Sequence, residues 1–433
     1  MTCSKRVWGI TFILILLGGA SLLWWSTLDR QRFQNSEEEE LGNLVKIGVT
    51  IANDEEWERY APIIELAEED IATYCEEMES PFTFEFVVRN CESQAQVALD
   101  LTKEFHENGT GLIVGHPWSG MMCHSVQEYI AENDMLLLSP SSTSPHWRIP
   151  DDNMFRLACH DLLQANVIAK MLQSRQIKSI VVIYRGDAWG DTFTDAIESE
   201  FEEVGGKVVG KVRYLIPCSD YSEFLEGADS ILIEYISEYG VEHVAIELVA
   251  FSEGMYILVQ ALEYPAFSSV SWFGTDGIVD LSESMKVYDD TSIIEETLKR
   301  FELIGPVPAP AYTEEYWALN ERYEKETGRH LTFYGASYYD ACWLYALSVM
   351  RANSTDVKLV RDALRELARE YVGVSGPCEL DENDDRLRGH YDLMGYFEID
   401  GETQYLKCGF YNATKGEIIW DEELTPYSRG GGG

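Results

Sequence analysis

Apolar runs of strand length alternate with amphipathic stretches along most of this chain. Residues 45–51 form a short apolar run, and residues 55–77 repeat apolar positions at Ile63, Ile64, Leu66, Ala67 and Ile71, a helical stripe. Residues 82–88 alternate as a strand does, and residues 93–107 read as a helix. Residues 112–115 then predict a buried strand that runs into a hydroxyl-bearing loop, His116 to Ser119. A helix follows, then a strand over 135–138 and a second hydroxyl loop, Ser139-Pro140-Ser141-Ser142-Thr143. The pattern continues with a helix over 162–174, a strand over 179–184, a helix over 192–204 that stops at Gly205-Gly206, and a strand over 208–215. Strands over 244–249 and 271–273 flank a helix over 254–262. Alternation of this kind predicts parallel sheets with helices on both faces, an α/β doubly wound fold.

The last third is less regular. Residues 305–310 (GPVPAP) predict a proline-rich loop, 313–327, 337–350 and 357–369 predict helices, and 391–399 with 404–411 predict a terminal antiparallel hairpin. Residues 427–433 read as a tail. No internal repeat with a period of about 20 to 50 residues is present, which excludes a solenoid. The chain has 433 residues, more doubly wound structure than one core holds, so two lobes of similar design are expected.

Composition adds one exclusion. Hydrophobic residues at 45% and charged residues at 25% suit a globular protein, but the net charge is −42. A surface of that sign repels phosphate backbones, so nucleic acid is not an expected partner.

Residues 7–25 carry no charge and are long enough to span a bilayer as a helix. Lys5 and Arg6 precede them, and Trp24 and Trp25 stand where an interfacial anchor would. The expectation is a transmembrane anchor over 1–28, with a cleaved secretory signal as the alternative, then an acidic linker over 29–43. Everything after about residue 44 would lie outside the cell. The sequons at Asn108, Asn353 and Asn412 agree with a glycoprotein. Setting aside Cys3, eight cysteines remain, an even number that permits disulfides without fixing their pairing.

The candidate chemistry lies in the two hydroxyl loops. In an open parallel sheet ligands bind beyond the carboxyl ends of the strands. Hydroxyls and free N–H groups there suit an anion such as a carboxylate. No nucleophile elbow, zinc-protease helix or P-loop is present, so no enzyme activity and no cofactor are expected. No Cys/His spacing suggests zinc. Asp381, Asn383 and Asp385 stand at the odd positions of a calcium loop, yet the glycine and distal glutamate of such a loop are missing, so no metal is expected.

Eight segments in order, GHPWS, SPSSTSP (139–145), FRLACHD (155–161), the stretch 181–209, SDYSEF (219–224), WFGTDGIVD (272–280), SYYDACWLYAL (337–347) and VGVSGPCELDENDDR (372–386), resemble the type I periplasmic solute-binding proteins. The resemblance is to the leucine/isoleucine/valine-binding branch and runs from about Lys46 to Trp420. It implies two doubly wound lobes joined by a three-strand hinge, with crossovers near Ala158, Asp280 and Gly389. Lobe 1 would hold residues 44–157 and 281–388, and lobe 2 residues 158–280 and 389–421, with 422–433 as a flexible tail.

The resemblance also implies a site. Ser119 and Thr143 stand where hydroxyls and N–H groups hold a ligand carboxylate, Ser141 where a backbone carbonyl accepts from the ammonium, and Asp276 where an acid pairs with that ammonium from the opposite lobe. Read alone, each serine or threonine is an N-cap and Asp276 a turn residue. Trp189, Phe251 and Tyr60 are candidate aromatic walls, with core packing as the alternative, and Trp57 lies with Tyr60 after the first strand, where the family often places a ring. Trp118 departs from the family, which has something small there. An indole at the mouth of the clasp shrinks the pocket or recruits a cation, which argues against a branched aliphatic ligand. Cys91 stands where the family has a bridged cysteine, and Cys123 is its expected partner here.

The function expected from the resemblance is an extracytoplasmic receptor that captures a small molecule, an amino acid first, and delivers it to an ABC permease. The alternatives are a sensory ectodomain working with a signalling partner, or a binder of an amide or urea-type solute.

Overall fold

A computed structural model describes residues 44–279, 291–421 and 424. The apolar run at the start forms β1 (Leu44–Ile51), after which Asn53 ends the extended chain. Its side chain accepts from the Glu56 N–H and caps α1 (Asp54–Glu77). The α1 stripe of Ile63, Ile64, Leu66, Ala67 and Ile71 is buried. The chain then alternates through β2 (Thr83–Asn90), α2 (Ala95–Glu107), β3 (Leu112–Val114), α3 (His124–Glu132), β4 (Leu136–Ser139) and β5 (Met154–Arg156). These strands make one parallel sheet in the order β2-β1-β3-β4-β5. One face is covered by α1 and by Tyr338, Cys342 and Tyr345 from a later helix, the other by α2 and α3.

The second lobe repeats the design. It runs through α4 (Asp161–Ser174), β6 (Ser179–Arg185), α5 (Ala188–Glu203), β7 (Lys207–Tyr214), α6 (Ser222–Tyr239), β8 (Val244–Val249), α7 (Gly254–Ala261), β9 (Ser271–Gly274) and the single turn α8 (Asp276–Val279). Past the undescribed residues come α9 (Thr291–Phe301) and β10 (Ile304–Pro308). The last strands, β13 (Tyr391–Ile399), β14 (Glu402–Asn412) and β15 (Glu417–Trp420), complete an eight-stranded sheet in the order β15-β14-β13-β10-β9-β8-β6-β7. Its β7-β6-β8-β9-β10 part is parallel and the remainder antiparallel.

Between β10 and β13 the chain returns to the first lobe as α10 (Glu314–Thr327), α11 (Phe333–Ala352), α12 (Val357–Ala368) and the two-residue strands β11 (Val372–Gly373) and β12 (Gly376–Pro377). Tyr338 and Tyr345 of α11 donate to Thr50, Ile113 and Leu136 carbonyls in the first sheet, which fixes this return.

Two expectations change. Residues 305–310 are not simply a loop, because β10 pairs with both β9 and β13. Pro306 and Pro308 alternate, so both missing donors lie on the edge away from β13, where β9 has already ended. The Pro306 carbonyl on that edge accepts from Gln164 Nε2 instead (3.3 Å). The second crossover, expected near Asp280 at the edge of the undescribed residues, falls after Pro308, since α9 and β10 pack with the second sheet.

The three crossings lie side by side. Arg386 N–H donates to the Arg156 carbonyl and Arg156 N–H to the Asp384 carbonyl, both at 3.0 Å, while Ala309 N–H donates to the His390 carbonyl (2.9 Å). A Cβ on Gly389 would stand 2.0 Å from Cys159 Sγ, so this crossing admits only glycine without movement. The expected anchor over 7–25, the linker over 29–43 and the tail over 427–433 lie outside the described residues. Among the described residues no helix is long and apolar enough to cross a membrane.

The second core holds one misfit. Glu247 lies mid-strand in β8 between Val182 and Phe273, fully buried, and neither carboxylate oxygen has a hydrogen-bond partner among the described residues. Burial pushes its carboxyl well above the ordinary value of 4.5.

Candidate functional site

The carboxyl ends of β1, β3 and β4 present three adjacent loops on the first lobe. The β3 loop is pinned from beneath by His116. Its ring nitrogens contact Thr50 Oγ1 (3.0 Å) and Thr102 Oγ1 (2.9 Å), and burial holds it down to about 3, so it is neutral. The β4 loop is tied to it by side chains. Ser139 Oγ donates to the His116 carbonyl and Ser141 Oγ to the Pro117 carbonyl, both at 2.7 Å.

Ser119 sits at the centre of this arrangement. Its Oγ lies 2.9 Å from Ser142 Oγ and accepts from the Ser144 N–H at 3.1 Å, while its carbonyl accepts from Trp147 Nε1 (3.0 Å). Ser144 is in turn held by Arg156, which donates to its carbonyl at 2.6 Å. Arg156 is fully buried and grips Asp385 through two bonds of 2.5 and 2.7 Å. Arg148 reinforces the same acidic turn, pairing with Asp381 at 2.8 Å. Asp381 also accepts from the Asn383 and Asp385 N–H groups, so the turn that resembled a calcium loop is an arginine-braced brace for the hinge. Among the described residues no group of three or more His, Cys, Asp or Glu could hold a metal ion.

The second lobe offers acids. Asp276 opens the turn after β9, and its carboxylate accepts from the Tyr334 hydroxyl of the first lobe (2.9 Å). Burial raises its carboxyl above the usual carboxylate range, with Gln164 and Tyr334 side chains acting the other way. Asp161, at the start of α4, is buried, and its N–H donates to the Thr143 carbonyl across the hinge (2.9 Å). Burial first, then the charge of Asp276, pushes the Asp161 carboxyl up to about 7, opposed by the neighbouring Thr143 and Trp189 side chains. Its Oδ2 has no hydrogen-bond partner among the described residues. Sequence reasoning missed Asp161. The signal was there, an acid opening the first helix after the hydroxyl loop, but it reads as an ordinary first-turn carboxylate.

The aromatic candidates separate. Trp189 stacks on Phe251 with centroids 4.4 Å apart, and Arg185 lies over the Phe251 ring at 4.4 Å. Trp118 stands exposed beside Ser119, and its Nε1 donates to Glu56 Oε1 at 2.8 Å. Tyr60 instead packs in the first core, stacked on Tyr338 at 4.8 Å, while Trp57 one turn earlier is exposed. The structure thus gathers Ser119, Ser141 and Thr143 with Trp118 on one lobe, and Asp276, Trp189 and Phe251 on the other.

The expected Cys91–Cys123 bridge is absent. All eight described cysteines are free, and the buried Cys91 Sγ lies 3.1 Å from Met121 Sδ. Cys123 does stand at the start of α3, as the sequence suggests, but it is not bonded to Cys91. Of the sequon asparagines, Asn108 and Asn353 are exposed and Asn412 half-buried.

Residues 61–397 match the family described as the receptor family ligand binding region. The chain belongs to that family. An uncharacterized protein of Methanocaldococcus jannaschii is 25% identical over 433 residues, covering 94% of this chain and 98% of its own length. Among solved structures, an ABC transporter substrate-binding protein from Desulfitobacterium hafniense in complex with Leu superposes with a TM-score of 0.64 at 20% identity, covering 84% of this chain and 100% of that one. A leucine-binding protein from Thermotoga maritima superposes with a TM-score of 0.63 at 19% identity, covering 88% and 100%. An ABC transporter substrate-binding protein from Sphaerobacter thermophilus gives a TM-score of 0.68 at 16% identity, covering 86% and 98%. The likeness is one of fold: two α/β lobes with parallel sheets.

Proposed function

We propose that this chain is an extracytoplasmic solute-binding protein that captures a free α-amino acid between its lobes and hands it to an ABC permease. One observation carries the reading. Neutral hydroxyl and N–H groups line the loops of the first lobe, and Asp276 and Asp161 of the second lobe meet that lobe through the Tyr334 hydroxyl and the Thr143 carbonyl. An α-amino acid has a carboxylate for the first set and an ammonium for the second. Ser119, Thr143 and the loop N–H groups are the donors for the carboxylate, with the buried Ser142 hydroxyl holding Ser119 from behind. Asp276, Asp161 and the Ser141 carbonyl are the acceptors for the ammonium, and Trp189, Phe251 and Trp118 wall the side chain. A ligand held from both sides favours the closed state, because its contacts are complete only there. The solved relatives, the Desulfitobacterium hafniense protein in complex with Leu and the leucine-binding protein of Thermotoga maritima, support the same ligand class. In this reading residues 1–28 hold the lobes at the extracytoplasmic face of the cell membrane.

The test is a thermal-shift screen of the purified full chain against the twenty amino acids, urea, amides and sugars at millimolar concentration. Binding to the folded state raises the melting temperature by mass action. At least one amino acid is expected to do so. A shift with an amide, urea or sugar and with no amino acid overturns the reading.

A further inference from the structure

The far end of this cleft is acidic. Glu56 lies in the first turn of α1, in the loop beyond β1, next to the β3 loop that carries Ser119. Its carboxylate is held in place, Oε1 by Trp118 Nε1 at 2.8 Å and Oε2 by the Ala52 N–H at 3.2 Å. The Trp118 indole therefore runs from the clasp to a carboxylate and leaves its exposed face as a wall between them.

The charge count around the cleft points the same way. With Asp161 pushed up to about 7, one α-ammonium is enough to answer the Asp161–Asp276 pair, and Glu56 stands as the acid left over. Four arginines of the surrounding elements are engaged with acids of their own, and Arg386 at the hinge is held by Leu157 and Ser375. Arg59 pairs with Glu55, Arg148 with Asp381, Arg156 with Asp385, and Arg185 with both Asp187 and Glu253. A neutral amino acid leaves the cleft with surplus negative charge. A ligand with a second cation balances it.

We propose that the ligand is a basic amino acid whose side-chain cation lies along Trp118 and ends on Glu56. The proposal rests on the amino-acid reading of the site and adds the side chain to it. The clasp and Glu56 are separated by one residue step and one indole, a gap that suits the long stem of lysine or arginine. An indole face binds a guanidinium or ammonium, and a planar guanidinium also stacks on it. A leucine side chain in the same place would leave Glu56, whose carboxyl is already pushed above its ordinary value by burial, without a cation.

The experiment is titration calorimetry of the full chain with L-arginine, L-lysine, L-citrulline and L-leucine, repeated on Glu56→Gln. Citrulline keeps the shape of arginine without its charge, so the wild-type series tests the proposal even if the variant folds poorly. Arginine or lysine is expected to bind at least about tenfold tighter than citrulline or leucine, and Glu56→Gln to erase that ratio while neutral amino acids bind as before. Equal binding of arginine and citrulline, or tighter binding of leucine, overturns the basic side chain but leaves the amino-acid reading intact. Binding by none of the four, with a shift from a urea or sugar, overturns both.

Discussion

The Ser119 and Ser142 hydroxyls on the first lobe share one hydrogen bond of 2.9 Å, and Ser144 N–H, Trp147 and Arg156 hold the loops around them. Asp161 and Asp276 on the second lobe are a different kind of construction. They are acids in a desolvated place, one with an unpartnered oxygen among the described residues, and the charge of Asp276 makes Asp161 harder to ionise. The hydroxyl side is satisfied before anything binds, whereas the acidic side is short of positive charge. The difference teaches where binding energy comes from. Exchanging one neutral hydrogen bond for another on the first lobe gains little, and supplying a cation to the second lobe relieves an electrostatic deficit.

Substitutions on the two sides should therefore differ in size. Asp276→Asn keeps the shape and the Tyr334 contact but removes the charge. It is expected to cost roughly 2–5 kcal/mol of amino-acid binding, at least about thirty-fold in affinity, by titration calorimetry. The fold should survive, since Asp276 lies in a turn rather than in either core. An unchanged dissociation constant would mean that the acidic side does not hold the ligand.

Glu247 extends the comparison into the second core, because it too is an acid without a partner among the described residues. Its folded value is raised, so the fold favours the protonated form. The stability this gives is present below the ordinary value of 4.5 and is lost as pH rises toward the folded value. Glu247→Met is expected to stabilise the protein by about 1–3 kcal/mol near neutral pH, with a smaller gain near pH 4. Thermal melts of both proteins across that pH range check it, and a gain that shrinks with rising pH would refute the buried-acid account.

The smallest effect is expected on the satisfied side. Ser119→Ala removes one hydroxyl, but the loop N–H groups remain to meet a carboxylate. Its cost to binding should be about 1 kcal/mol by the same calorimetry. A loss as large as that of Asp276→Asn would erase the distinction between the lobes.

Most of the fold was legible because hydrophobic periodicity reports burial directly, as in the α1 stripe and the wholly apolar β8 apart from Glu247. The failures have physical causes. Prolines at 306 and 308 signal a break, and only the sheet shows that their missing donors fall on an edge where β9 has ended. The Cys91 pairing was inferred from a position along the chain, whereas a bridge depends on where the side chain points, and Cys91 points at Met121. Ser119 and Asp276 enter the candidate site by resemblance, and Tyr60, for which the sequence leaves wall and core readings even, has its ring stacked on Tyr338 in the first core. Asp161 stayed hidden because its importance lies in burial and in the nearness of Asp276, neither of which is a property of local sequence.

Proton linkage tests the acidic side most directly. With Asp161 pushed up to about 7, the Asp161–Asp276 pair still carries a proton at pH 6 in the free protein. An ammonium docking there favours the ionised pair and expels that proton. The measurement is calorimetric titration of the full chain at pH 6, in two buffers of different ionisation enthalpy, with the amino acid that gives the largest thermal shift. The account predicts a binding enthalpy that changes between the buffers in the sense of proton release, and an affinity that weakens as pH falls below about 7. The same enthalpy in both buffers, or an affinity indifferent to pH across this range, would contradict it.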